Sequence, residues 1–169
     1  MRRMFTAEKT GLQRWAAAVI MERSPVTSRW VSEKWEARGV LPDLAPASPP
    51  RVLIERPELM QVLYSGLQIV LQRDEAEGYY MNITSPQPKV FVLWHMADGR
   101  AVPQQLTVSY NEGARWMDSG DSVDSMPLPV ELVPWIAGFC EQHYQPEPRK
   151  KAKYATNKDK GRMGNWRPD

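Results

Sequence analysis

"KVFVLWHMADGRAVPQQLTVSY", residues 89–110, decides the fold class. Residues 89–96 are almost wholly apolar, the pattern of a central strand covered on both faces. Asp98-Gly99, within residues 97–100, is a favoured pair for a tight hairpin turn. Residues 104–110 then alternate, with Leu106, Val108 and Tyr110 on one side. A strand, a short turn and a returning strand make an antiparallel pair. His95 falls inside the apolar run and is expected as a core histidine hydrogen-bonded to backbone.

Upstream, the same signals recur. Residues 15–23 form a buried apolar run, closed by the turn-prone "SPVTS", and residues 32–41 follow as an antiparallel partner. "LPDLAPASPPR", 41–51, reads as a loop whose length predicts mobility. Residues 51–55 are a short strand candidate. Residues 65–73 alternate through Leu67, Ile69 and Leu71, and residues 79–84 through Tyr79, Met81 and Ile83. With the polar "DEAEG", 74–78, as the turn, residues 65–84 are expected to form a second hairpin. Asp74, Glu75 and Glu77 are then solvated turn charges, because paired carboxylates do acid–base work only where burial splits their pKa values.

Downstream, the pattern changes. Ser109 and Glu112 fit a capping box, so a short helix over residues 112–119 ends at Gly120. Residues 118–129 are polar and read as a loop. Residues 129–144 are helical, with Leu132, Trp135 or Ile136, Phe139 and His143 on one face. Strands first and helices last predict an α+β fold, mainly an antiparallel β-sheet or partly closed barrel followed by a C-terminal helix. The organisation is a flexible N-terminus at 1–14, a single α+β domain at 15–146 and a basic, disordered tail at 147–169.

Composition narrows the function classes. The 169 residues are 42% hydrophobic and 25% charged, with seven Trp and one Cys. Cys140 cannot form an internal disulfide, no apolar run reaches the length of a membrane span, and the first residues lack a signal peptide's apolar core. A cytoplasmic location with no membrane contact is therefore expected. From Arg149 onward, eight basic and two acidic residues give +6, leaving −4 for residues 1–148 of the overall +2. A basic tail suits an acidic partner or, less specifically, nucleic acid. There is no glycine-rich phosphate loop, no HExxH and no CxxC pair. Cys140 and His143 are three apart on a helix, which suits a buried thiol beside an amphipathic histidine better than a nucleophile pair. "NIT", 82–84, matches a glycosylation acceptor, which has no meaning without secretion. No catalytic residue and no metal ligand is assigned.

"SRWVSEKWEARGVLP", 28–42, is the unusual passage. Trp30 and Trp35 are five apart, so a regular strand would send them to opposite faces. Either Trp30 lies in the preceding loop or a bulge breaks the register. Trp35 would share a face with Glu33, Ala37 and Gly39, and Lys34, Glu36 and Arg38 would form a charged ladder on the other. Trp35 is expected in the core. Trp30 either caps its edge or joins Arg29 as an exposed contact pair, since Trp and Arg are favoured at binding hot spots.

Three passages carry a resemblance: "AVIMERSPVTSRWVSEKWEARGVLP" (18–42), "LQRDEAEGYYMNITSPQPKVFVLW" (71–94) and "MPLPVELVPWIAGFCEQHYQPEPRKKAK" (126–153). Together they resemble a bacterial family of uncharacterised proteins often encoded beside formate dehydrogenase and molybdenum-cofactor genes. The matched positions are Glu22, Arg23, Arg29, Trp30, Trp35 and Glu36, then Glu77, Tyr79, Asn82, Ser85, Pro86 and Trp135. The family's paired histidines read His143 and Tyr144 here, which argues against a two-histidine metal site. The resemblance implies an accessory or assembly protein for a molybdenum-dependent formate dehydrogenase, without chemistry of its own. Its partner would be a formate dehydrogenase subunit or maturation factor. No resident cofactor is implied beyond a transient molybdopterin contact. The alternatives are a molybdenum-cofactor-processing enzyme, with Glu36, Glu77 and His143 as its polar residues, and a nucleic-acid-binding regulator using the tail. The contact residues expected on the first reading are Arg23, Arg29, Trp30, Glu36, Tyr80, Asn82 and His143, with Arg149, Lys150 and Lys151 from the tail.

Overall fold

The computed structural model of the chain describes residues 6–7 and 13–146. The basic tail, with Arg149, Lys150 and Lys151, and most of the N-terminal segment lie outside the described residues.

The organising element is the long strand β2, Gln13–Pro25. One edge pairs antiparallel with β5, Met60–Leu71. The other pairs with β1, Thr6–Ala7, near its start and with β3, Glu33–Pro42, along the rest. The sheet thus begins within the segment expected to be flexible. The short β4, Arg51–Glu55, flanks β5 and completes five strands. A second antiparallel sheet of three strands has the order β7 (Arg100–Thr107), β6 (Lys89–Ala97), β8 (Ser122–Pro127). Three helices follow strands: α1, Ala76–Ile83; α2, Tyr110–Asp118; and α3, Val133–His143. The fold is α+β, mainly antiparallel, with a C-terminal helix.

Alternation explains the strands, and bulges explain where it breaks. Trp15, Ala17, Val19 and Met21 of β2 are buried. On β3 the buried set is Trp35, Ala37 and then Val40, an odd step. The register moves from Met21↔Ala37 to Ile20↔Gly39, so Arg38 is the extra residue of a bulge that turns Val40 inward. On β5 the buried phase changes between Tyr64 and Ile69, across a register shift at Ser65–Gly66. Gly66 has φ +88°, a conformation open to glycine without steric cost. The Asp98-Gly99 turn joins β6 to β7 as expected, with both residues at positive φ.

Both sheets and helices α1 and α3 share one core, built on Trp15, Tyr79, Ile136 and Phe139. The sheets meet where Asp124 of β8 uses Oδ2 to accept the Ala37 N–H of β3 at 2.8 Å and the Trp94 Nε1–H at 2.9 Å. Trp135 of α3 donates its Nε1–H to Gln13 Oε1 at 2.8 Å, fixing that helix to the start of β2.

Several local expectations are corrected. Residues 65–84 are not a hairpin: Arg73–Glu75 is a 3-10 turn and residues 76–83 are helical. The alternation of Tyr79, Met81 and Ile83 is incidental, for the buried residues Ala76, Tyr79 and Asn82 recur every third position. Glu75 is not a solvated turn charge; it accepts the Ser109 hydroxyl at 2.6 Å and pairs with Arg115. The polar segment after α2 contains β8, an outer strand that buries only Met126 and half-buries Val123 and Asp124. His95 is exposed beyond the apolar part of β6, 3.7 Å from Asp121. The loop after β3 is pinned: Asp43 Oδ2 accepts the Gly66 N–H at 2.7 Å, and Asp43 N donates to Ala16 O at 3.0 Å. No helix among the described residues is long and apolar enough to cross a membrane.

Candidate contact surface

Pro25 ends β2, and residues 26–32 carry the chain to β3 through a turn closed by Val26 N–H to Ser32 O at 3.3 Å. Inside it, Ser28 Oγ accepts the Trp30 N–H at 3.2 Å. This bond shapes the backbone at Trp30 while the indole stays 92% exposed. Val26 and Val31 beside it are also exposed. Arg29 is exposed and forms no ion pair among the described residues. A side chain of Trp's size buries about 150–250 Å², worth roughly 4–6 kcal/mol of transfer free energy before ordering costs. This molecule leaves that gain unrealised at Trp30.

The base of the turn is rigid. Arg23 Nε lies 3.2 Å from Glu33, and its NH2 donates to Arg56 O at 3.2 Å. Arg23 therefore ties β2 to β3 and to the β4–β5 turn, and its charge already has a partner. Across β2 and β3, Glu22 stands opposite Glu36, two like charges in register. Arg38 resolves the repulsion, 2.8 Å from Glu22 and 3.3 Å from Glu36, and Lys34 lies 3.4 Å from Glu36. Gln61 donates a further bond to Glu22 at 3.3 Å. Glu22 is buried, and only with these partners is such burial tolerable. Glu36 thus belongs to an ion-pair ladder beside the Trp30 turn.

The other expected contact residues lie elsewhere. Tyr80 is partly exposed and stacks on Tyr144 at 4.9 Å between ring centroids. His143 packs on Phe139 at 4.5 Å. His143 also lines a polar cavity of about 620 Å³ with Arg73, Asp74 and Glu77. Arg73 and Asp74 of this cavity follow Leu71 of β5, which pairs with Gln13 at the start of β2, whereas the Trp30 turn follows its end. A rise of ~3.3 Å per residue separates the ends of a 13-residue strand by roughly 40 Å. Arg23, Arg29, Trp30 and Glu36 are therefore brought together, and Tyr80 and His143 form a separate group. Of the three residues suggested for a processing enzyme, Glu77 and His143 share a cavity and Glu36 does not.

Asn82, expected at a contact surface, is fully enclosed. Its Nδ2 donates to Lys89 O at 2.6 Å and Val108 O at 2.9 Å, and its Oδ1 accepts the Lys89 N–H at 2.8 Å. Both its donors and its acceptor oxygen serve to fasten α1 to the second sheet and the segment after it. Cys140 is buried with its Sγ 3.8 Å from Ala76 O. Burial pushes the thiol up from 9.0 to about 11. Burial thus disfavours the thiolate that a nucleophile needs. Burial likewise pushes the Tyr79 hydroxyl well up, opposed by the Gln72 N–H that bonds to it at 2.9 Å. Among the described residues no group of three or more metal-ligating side chains is found.

Residues 109–115 carry a polar hub that the sequence announced only through its capping box. Ser109 caps α2 by accepting the Glu112 N–H at 3.1 Å while donating to Glu75. Gly78 fits against it so closely that a Cβ would lie 2.1 Å from Ser109 Oγ. The capping box was the one visible sign of this hub; Glu75 and Gly78 join it only through the α1 position.

The described residues define an α+β protein with two antiparallel sheets and three helices among them, an exposed Trp–Arg turn at one end and an ion-pair ladder beside it. The chain belongs to the family described as "Protein of unknown function (DUF3305)", whose model matches residues 16–153. No curated protein and no solved structure matches it.

Proposed function

We propose that the chain is a cytoplasmic accessory binding protein that assists assembly of a molybdenum-dependent formate dehydrogenase and performs no chemistry of its own. The observation that carries the binding role is the 92% exposure of Trp30 beside Arg29, which has no ion pair among the described residues, on a turn whose base is held by Arg23. Such a turn offers a large apolar anchor and a guanidinium on a preformed support, which limits the ordering cost of association. The guanidinium suits an acidic segment of a formate dehydrogenase subunit or maturation factor, or the phosphate of a molybdopterin in transit. The named partner rests on the resemblance carried by residues 18–42, 71–94 and 126–153.

The test is a pull-down with the tagged full chain from a host grown on formate and molybdate, read by mass spectrometry and by molybdenum and pterin assays. A formate dehydrogenase subunit should be recovered, and Trp30→Ala with Arg29→Ala should lower its recovery at least about tenfold without changing Tm. Undiminished recovery by the double variant would remove this surface from the interaction. The shared cavity of Glu77 and His143 favours a second reading, a cofactor-processing enzyme. That reading requires turnover of a molybdopterin substrate that Glu77→Gln abolishes. A nucleic-acid-binding role would rest on residues outside those described, and it requires affinity that falls steeply with salt.

A further inference from the structure

At the opposite end of the β2–β3 hairpin from Trp30, the loop after β3 arches over the outer face of the five-stranded sheet. It borders a half-open groove of about 560 Å³, a volume within the range of small-molecule sites. Ala18 of β2 and Leu63 of β5 form the floor, and Leu41, Pro49 and Pro50 the walls. The loop is held in this arch by three bonds to Asp43: its N–H to Ala16 O at 3.0 Å, the Gly66 N–H to Oδ2 at 2.7 Å, and the Ala45 N–H to Oδ1 at 3.1 Å. The space is thus built by a pinned segment and does not depend on a chance side-chain orientation. The loop does not fill it with its own largest apolar side chain, because Leu44 stands at the rim 90% exposed.

Charge decides what the cavity suits. Among the described residues, two charged ones line it, Asp43 and Arg51. The Asp43 carboxylate is satisfied by two backbone N–H groups. Arg51 makes no ion pair and no side-chain hydrogen bond among the described residues. A largely apolar groove that carries, among the described residues, one unpartnered guanidinium and no unpartnered carboxylate is complementary to an apolar body with a single anionic head.

We propose that this cavity is a binding site for a small amphipathic carboxylate, its chain on Ala18 and Leu63 and its head at Arg51. This site is independent of the Trp30 turn and of the partner that turn engages.

The test uses the isotope-labelled full chain titrated with decanoate and, separately, with decan-1-ol, read by amide chemical shifts. Decanoate should shift the amides of residues 43–51 and 63–66 saturably. Arg51→Gln, a change at an exposed position that preserves the fold, should weaken decanoate at least about tenfold and leave decan-1-ol unchanged. Ser65→Trp, which fills the cavity, should remove both. Absence of saturable shifts, shifts centred elsewhere, or decanoate affinity untouched by Arg51→Gln would each overturn the proposal.

Discussion

Replacing Asn82 by Asp changes one atom's chemistry at a fully buried position, and the structure sets the size of the effect. Asn82 Nδ2 donates to Lys89 O and Val108 O, at 2.6 and 2.9 Å. Asp keeps the acceptor for the Lys89 N–H and loses both donors. Two carbonyl oxygens then face a carboxylate oxygen at a position closed to solvent. A buried polar group left unsatisfied costs about 1–3 kcal/mol, and a buried charge without a partner about 3–5 kcal/mol. Asn82→Asp should therefore lose about 3–5 kcal/mol at neutral pH. At about 2–4 °C per kcal/mol for a chain of this size, Tm falls by roughly 6–20 °C. Urea denaturation across pH separates the terms. Burial raises the folded-state pKa of the new carboxyl above its unfolded value of about 4. The native state then binds the proton more tightly, so the deficit is smallest below pH 4 and grows as pH rises through the folded pKa. Asn82→Ala leaves the same backbone groups unpaired without the charge, and its deficit should not vary with pH over this window. A loss below about 1 kcal/mol for Asn82→Asp, or the same pH profile for both variants, would refute the account of Asn82 as the α1 fastening.

Gly113→Ala should destabilise the fold, because its Cβ would meet the Phe91 ring at 2.7 Å; in a Phe91→Ala background, which removes the Cγ and Cδ atoms in the way, the same change should turn stabilising, as measured by Tm. Arg38→Ala leaves Glu22 opposite Glu36 without their shared cation and should cost about 1–2 kcal/mol in urea unfolding; adding Glu36→Gln should restore part of it, and strict additivity would be evidence against the ladder. Cys140 should resist thiol-specific labelling at pH 8 until the chain unfolds. Its raised pKa means that the stabilisation it contributes is present below pH 9 and is lost as pH rises toward about 11, a dependence that Cys140→Ala should lack.

The elements that were legible in the sequence are those set by local chemistry. Asp98-Gly99 demands a tight turn whatever surrounds it, and both residues take the positive φ that such a turn requires. Ser109 caps α2 because an N-cap needs only its own following turn. The odd spacing of Trp30 and Trp35 excluded a shared strand face, and the structure puts Trp35 in the core and Trp30 in solvent. What was not legible depends on partners distant in sequence. β8 has little apolar character and exists because β6 offers it an edge to pair with. Residues 79–84 alternate like a strand, yet α1 forms there because Tyr79 packs on Phe139 and Asn82 reaches Lys89 and Val108. In the candidate site, Arg29 and Trp30 were visible as a pair. That Arg23 and Glu36 are already partnered could not be read from spacing, because their partners include Arg56 and the bulged Arg38.

Asp124 has a consequence for how molecules of this chain behave toward one another. β3 and β8 are the outermost strands of their sheets, and an outermost strand displays backbone donors that any passing chain can adopt as a template for its own. Asp124 occupies the Ala37 donor on β3 with a carboxylate and turns two such rims toward each other inside one molecule. Lys34 and Arg38 add charge along the same strand, a further deterrent to stacking. Loss of Asp124 would then register in solution as concentration-dependent association and a shortened shelf life, even where the separate monomer stays folded.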